Sequence, residues 1–204
     1  MPRVGLSRPA LVAAAIEFID DGRPATLADL TLAGLASRVG VAVPSLYKHV
    51  ASLADLRREV AIASVNELRG IIAAATVGLA GAEAVAAMAQ AVRSFAHEHP
   101  GRYAATQAAG NPDDPADDRL TDAGVQTVAV IASILRGFEL PESRTVDAIR
   151  ILRSAVHGFV LLELEGGFGL SDDLERSFAL LVETITAGII QLGVGSPGKV
   201  TRSA

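Results

Sequence analysis

Leu11, Ala14, Ala15, Phe18 and Ile19 recur at the spacing of one helix face, between Ser7-Arg8-Pro9 and Asp20-Asp21-Gly22. A hydroxyl residue followed by proline starts a helix, because proline lacks only an N–H that the first turn cannot use. The aspartates and glycine end it. Arg23 to Leu30 then reads as a connection. Thr31 can cap a short helix over Leu32–Val39, which Gly40 stops, and Val41-Ala42 leaves room only for a tight turn before a third helix, Val43–His49. Ser52 with Asp55 three residues on has the form of a capping box for a longer fourth helix.

The remainder keeps the helical period. Gly78 and Gly81 interrupt it, Ala82–Glu98 resumes it, and Pro100 forces a boundary after His99. A short helix around Tyr103–Ala109 precedes the loop Gly110-Asn111-Pro112-Asp113-Asp114-Pro115. Leu120–Gly137, Ser143–Glu165 and Leu174–Leu192 complete the set. Strand alternation and internal repeats are absent from the sequence. The pattern predicts an all-α protein of about nine helices: a helix-turn-helix domain over 1–56, a helical body over 57–195 and a flexible tail over 196–204.

Composition agrees with helices and narrows the function. Half the residues are apolar, mostly Ala, Leu, Val and Ile, with no Trp and no Cys. That excludes disulfides, thiolate metal sites and thiol nucleophiles. Net charge is −5, which alone argues against nucleic acid. The charge is uneven, however: residues 1–60 hold seven Lys/Arg against six Asp/Glu, or +1, leaving eleven against seventeen, or −6, for the rest. A weakly basic head can still hold phosphates if its cations face one way. The stretch from Ala10 to Ile19 carries Glu17 and lacks a cleavage site, and the uncharged runs 70–82 and 184–198 are too short to span a bilayer. A cytoplasmic protein with no membrane partner is expected.

The segment from Leu32 to His49 carries the sharpest signal. Two helices crossing steeply need a small residue where they touch, supplied by Ala36, and a residue tolerant of positive φ in the turn, supplied by Gly40. Leu35, Val39, Val41 and Leu46 form the shared apolar wedge. An ordinary helical hairpin has the same spacing. Tyr47-Lys48-His49 separates the two, because consecutive polar donors at the end of a short helix suit phosphate contacts.

On Leu30-Thr31, Leu35-Ala36, Val39-Gly40-Val41, Pro44-Ser45-Leu46-Tyr47-Lys48-His49-Val50 and Ser52 to Leu56, the first 60 or so residues resemble the TetR family of regulators. The resemblance implies a dimer on a palindromic duplex operator, usually as a repressor released by a small-molecule effector. It also implies phosphate contacts from Thr31, Tyr47 and His49, with the helix bearing Ala42, Val43, Pro44, Ser45 and Lys48 in the major groove. The chain departs from the family where Ala42 replaces a polar helix cap and Leu53 replaces a lysine. Val43, Pro44 and Ala42 would then meet thymine methyls, with Lys48 the one long cation and Arg3, Arg8 and Arg38 as helpers.

The body resembles the family's Trp-His-Gly class at Glu98-His99-Pro100, Tyr103, Ala155-Val156-His157-Gly158-Phe159, Leu162-Glu163 and Gly167-Phe168, with Val156 in place of the Trp. Candidate effector-lining residues are Met88, Phe95, Tyr103, Gln107, Gln126, Phe138 and His157. An apolar stripe of Phe178, Leu181, Val182, Ile185, Ile189 and Leu192, with the row Ile151, Ala155, Gly158 and Leu162, is expected to form the dimer interface, unless both face the monomer's own core. His97-Glu98-His99 lacks the spacing of a metal site, and Gly166-Gly167-Phe168-Gly169 follows a helix, so no metal, cofactor or catalytic group is expected. The competing class is a helical small-molecule-binding protein or enzyme without specific DNA binding, favoured by Leu53, the apolar third-helix start and the −5 charge.

Overall fold

The computed structural model describes residues 6–21, 26–170 and 173–194, apart from the side chain of Val194. The expected tail, 196–204, and the helper Arg3 lie outside them. The described residues form nine α-helices and two one-turn 3-10 helices, with no strand. The helices are α1 (Arg8–Asp20), α2 (Leu32–Val39), α3 (Val43–Leu46), α4 (Leu53–Ala75), α5 (Gly81–Glu98), α6 (Pro100–Ala105), α7 (Asp118–Leu135), α8 (Glu142–Leu164) and α9 (Leu174–Val194).

Two compact units emerge, one from residues 1–70 and 94–127, the other from 71–93 and 128–204, the division falling within α4, α5 and α7. In the first, Leu11, Ala15 and Ile19 of α1 meet Leu35 and Ala36 of α2, Leu46 of α3, Leu56 and Val60 of α4, and Ala105 of α6. A smaller cluster joins Ala61, Ile62 and Val65 of α4 to Leu120 and Ala123 of α7. Burying the Leu, Ile and Val side chains among them contributes about 1.5–3 kcal/mol each.

Local sequence explains most boundaries. Ser7 caps α1 by accepting the Ala10 N–H at 3.3 Å, with Pro9 in the first turn. Two helices differ from expectation by three residues or more, α3 at its end and α6 at both ends, where Ala105 rather than Ala109 is the last residue. The helix α3 ends at Leu46 rather than His49: the His49 N–H bonds the Leu46 carbonyl at 2.9 Å, three residues back, so the chain tightens into a turn over 47–49. The helix α6 starts at Pro100, not Tyr103, because proline's fixed φ seeds a helix where its missing N–H does no harm.

In the second unit, α8 packs on α9, and α8 buries Ala148, Ile149, Leu152, Val156 and Val160. Most of the α9 stripe expected to meet a partner is instead covered within the chain: Phe178, Val182, Ile185 and Ile189 are buried, while Leu181 and Leu192 are half-buried. A stripe at period 3.6 shows that one face is covered, and the covering surface here is the protein's own. The α8 row behaves differently, with Ile151 45% and Leu162 47% exposed and open space beyond Gly158.

Arg93 on α5 crosses this unit's interior. Its side chain, 6% exposed, makes paired bonds to Glu163 of α8 at 2.8 and 2.6 Å and reaches Glu175 of α9 at 2.7 Å. The guanidinium also lies over the Phe178 ring, 4.8 Å from its centroid, and Phe159 packs on both Phe178 and Phe168.

Candidate nucleic-acid interface

The site is assembled from α2, α3 and the segments that enter and leave them. Thr31 caps α2, its Oγ1 accepting the Gly34 N–H at 3.0 Å. The hydroxyl proton is not consumed by that bond and remains a donor. Gly40 takes the left-handed conformation, φ 70°, and the Val41 N–H closes the helix end on the Ala36 carbonyl at 3.0 Å. Ala42 caps α3 without a side-chain bond, as an alanine must. Leu35, Ala36 and Leu46 are buried, which leaves Thr31, Ser37, Ala42, Pro44, Tyr47 and Lys48 outside.

Of the residues expected at the interface, Thr31, Ala42, Pro44, Tyr47 and Lys48 are exposed, Tyr47 by 56%. Val43, Ser45 and His49 are half-buried. Lys48 has no ion-pair partner among the described residues. Arg8 and Arg38, expected to help hold phosphates, are engaged elsewhere. Arg38 pairs with Asp21 at 2.5 Å and with Glu17 at 3.5 Å. Arg8 grips both oxygens of Asp55, at 2.7 and 2.8 Å, and donates to Glu59 at 3.0 Å and to the His49 carbonyl at 3.3 Å. Arg58 pairs with Asp117 and lies 3.9 Å from Asp114.

One residue that matters here carries no signal in the sequence pattern, and another does more than its pattern suggests. Arg57 Nη2 donates to the carbonyls of Ala28 and Leu30, both at 2.8 Å, and so fixes the backbone that leads into Thr31. Asp55 does what the capping-box spacing suggests and more. Its N–H donates to Ser52 Oγ at 3.0 Å, but its carboxylate reaches the Ala51 amide, 2.9 Å away, rather than that of Ser52.

The Arg8 guanidinium, and then the Ala51 N–H, hold the Asp55 carboxyl below its usual range against the opposing effect of burial. A folded pKa below the unfolded value of about 3.9 means stability that is complete above that pH and lost as pH falls through the folded value. Urea titrations from pH 6 to pH 2 should therefore show a smaller acid loss for Asp55→Asn than for the wild type. Superimposable profiles would show that the pair does not stabilise the fold.

The candidate effector residues divide between the units. In the first, Phe95 and Tyr103 are buried, with the Phe95 ring edge-on to His99 at 5.5 Å. Gln107 is exposed and donates to Thr106 Oγ1 at 2.8 Å, and Gln126, exposed on α7, accepts from Arg69. In the second, Met88 is buried, whereas Phe138 and His157 are half-buried. Burial, then the nearby Arg153 charge, pushes the His157 imidazole below its ordinary range, so the neutral ring is favoured. Around His97-Glu98-His99, Arg102 Nη2 lies 2.8 Å from His99 Nδ1, and Asp20 lies 3.6 Å from the same nitrogen. No group of three or more His, Asp or Glu among the described residues could hold a metal.

Comparison with known proteins gives this geometry its context. Residues 85–185 match the family described as "Tetracyclin repressor-like, C-terminal domain", a stretch that includes His157-Gly158. The HTH-type transcriptional regulator Rv0681 of Mycobacterium tuberculosis is 37% identical over 188 residues, covering 90% of this chain and 82% of that protein. Among solved structures, the transcriptional regulator SCO7222, a TetR from Streptomyces coelicolor, superposes with a TM-score of 0.68 at 19% identity, over 92% of this chain and 99% of that one. A TetR variant from Acinetobacter baumannii in complex with minocycline gives 0.65 at 20% identity, over 92% and 98%. With its two-helix motif exposed as described and its sequence kinship extending over nine-tenths of its length, the chain belongs to the TetR family of DNA-binding, helix-turn-helix transcriptional regulators.

Proposed function

We propose that this regulator is a cytoplasmic homodimeric repressor that binds a palindromic operator and is released from it by a small-molecule effector. The observation that carries the reading is the exposed set Thr31, Ala42, Pro44, Tyr47 and Lys48 on a helix pair that buries Leu35, Ala36 and Leu46. In this reading Thr31, Tyr47 and His49 contact phosphates and fix the register. Ala42, Val43 and Pro44 meet thymine methyls, and Ser45 lies beside them. Lys48 is the cation that reaches a phosphate or a guanine. The head, 1–56, does the reading, and the body, 57–195, binds effector and partner.

Dimerisation is supported by the exposed α8 row around Gly158, together with Leu180 and Ile190 on the outer face of α9. Small residues at the centre of such a row let helices approach closely. An effector is supported by the minocycline complex of a protein of the same fold. Met88, Phe95, Tyr103, Gln107, Gln126, Phe138 and His157 are the residues to vary first. Release requires the effector to favour the non-operator arrangement, a coupling typically of about 1–3 kcal/mol.

Selection of bound duplexes from a random library tests the reading. A palindrome with half-sites about one helical turn apart, rich in thymine, is the expected product. Lys48→Ala should then reduce the slope of log affinity against log salt by about 0.9 per subunit. An unchanged slope and affinity would remove Lys48 from the interface. A well-folded protein that enriches no duplex would favour the competing class, a helical small-molecule-binding protein or enzyme that has lost specific DNA binding.

A further inference from the structure

The turn that carries Tyr47, Lys48 and His49 has little of its own to hold it. It follows a four-residue helix with no side-chain cap, and isolated turns of this length are unstable in water. Its backbone is nevertheless tied down at two points by one ion pair. The His49 carbonyl accepts from Arg8 Nη1, and the Ala51 N–H donates to Asp55 Oδ2, 2.9 Å away. Arg8 and Asp55 in turn hold each other through two parallel bonds, the geometry in which an arginine fork is most rigid. Glu59 braces the same guanidinium and also pairs with Arg119 of α7. The four bonds from the two terminal nitrogens of Arg8 thus all go to protein acceptors on α4 and the turn.

From this geometry we infer that Arg8 and Asp55 are positioning residues for operator binding: they preset the backbone of the phosphate-facing turn and touch no phosphate themselves. The inference rests on the DNA-binding reading above. Presetting removes an ordering penalty from the binding step, so losing the pair weakens binding without changing how many counterions the protein displaces. A phosphate ligand behaves in the opposite way. Asp55 adds a sharper distinction. A carboxylate near DNA that did nothing structural would repel the duplex, and removing its charge would tighten binding. A carboxylate that holds the turn gives the reverse.

The test uses the full-length protein, the duplex selected by the wild type, and a series of salt concentrations. Asp55→Asn and Arg8→Gln should each weaken binding by about tenfold or more, the scale of one charged hydrogen bond, with the salt slope unchanged. Arg8→Lys, which keeps the charge but loses the fork, should also weaken binding, by a smaller factor. Hydrogen exchange at the Ala51 amide should accelerate in all three. Circular dichroism at the binding temperature establishes that each variant is folded; if Asp55→Asn is not, the two Arg8 variants decide the matter. Equal or tighter binding by Asp55→Asn would overturn the inference. So would Arg8→Gln lowering the slope by about 0.9 per subunit while Arg8→Lys binds like the wild type. A wild type that selects no duplex removes the underlying reading and this inference with it, whereas a wild type that does select one leaves the variants to judge the inference alone.

Discussion

Gly101→Ala is expected to destabilise the first unit by about 3 kcal/mol or more, at the upper end of what overpacking a core costs. A Cβ at this position would sit 2.1 Å from the Ile19 carbonyl oxygen, 2.5 Å from its carbon and 3.1 Å from the Asp20 nitrogen. These are backbone atoms at the end of α1, so no side chain can rotate aside. Either α1 or α6 must move. Leu11, Ala15 and Ile19 hold α1 in the core, and Arg102 ties α6 to it through an N–H bond to Asp20 at 3.0 Å and a side-chain bond to the same carboxylate at 2.5 Å. Arg102 also reaches Glu67 at 2.6 Å, so displacement of α6 strains a contact to α4 as well. Urea unfolding monitored by helicity gives the measurement. A change below about 0.5 kcal/mol, the range of an inert surface substitution, would mean that the close approach relaxes freely.

The second large effect is expected at Arg93. Arg93→Ala should cost about 3–5 kcal/mol, because it removes the paired bonds that the largely buried Glu163 carboxylate accepts from the guanidinium. Glu175, 75% exposed, contributes little to that figure, since water can replace the arginine there. Hydrophobic replacement of both partners, Arg93→Met with Glu163→Leu, should recover most of the loss, because neither charge then remains to be solvated. Denaturant unfolding of both singles and the double closes the cycle. Additive losses would show that the two residues act independently, contrary to the bidentate geometry.

Features that depend on near neighbours in the chain were legible in the sequence. The Ser7 and Thr31 caps, the left-handed Gly40 and the Ser52–Asp55 bond each lie within three or four residues of what they satisfy. The helix-turn-helix was legible for that reason. What escaped the sequence are contacts between distant segments: Arg8 with Asp55, 47 residues away, Arg93 with Glu163, 70 away, and Arg102 with Asp20, 82 away. An arginine alone does not show whether it faces a phosphate or a carboxylate, so the carboxylate partners of Arg8 and Arg38 could not be read from the sequence. Gly101 gave no sign of its role either, since glycine after proline is ordinary at a helix start. The α9 stripe shows the same limit, because periodicity reveals a covered face but not what covers it.

The pairing of Arg8, Arg38 and Arg58 with acidic side chains bears on how such a regulator behaves in a cell. Random chromosomal sequence competes for any DNA-binding protein at about a million to a billion sites, and it does so almost entirely through phosphate charge. In the operator-binding reading proposed above, arginines already paired with carboxylates, as Arg8, Arg38 and Arg58 are, offer that competition little to hold. In that reading fewer molecules would be sequestered at decoy sites, and fewer copies would suffice to keep an operator occupied.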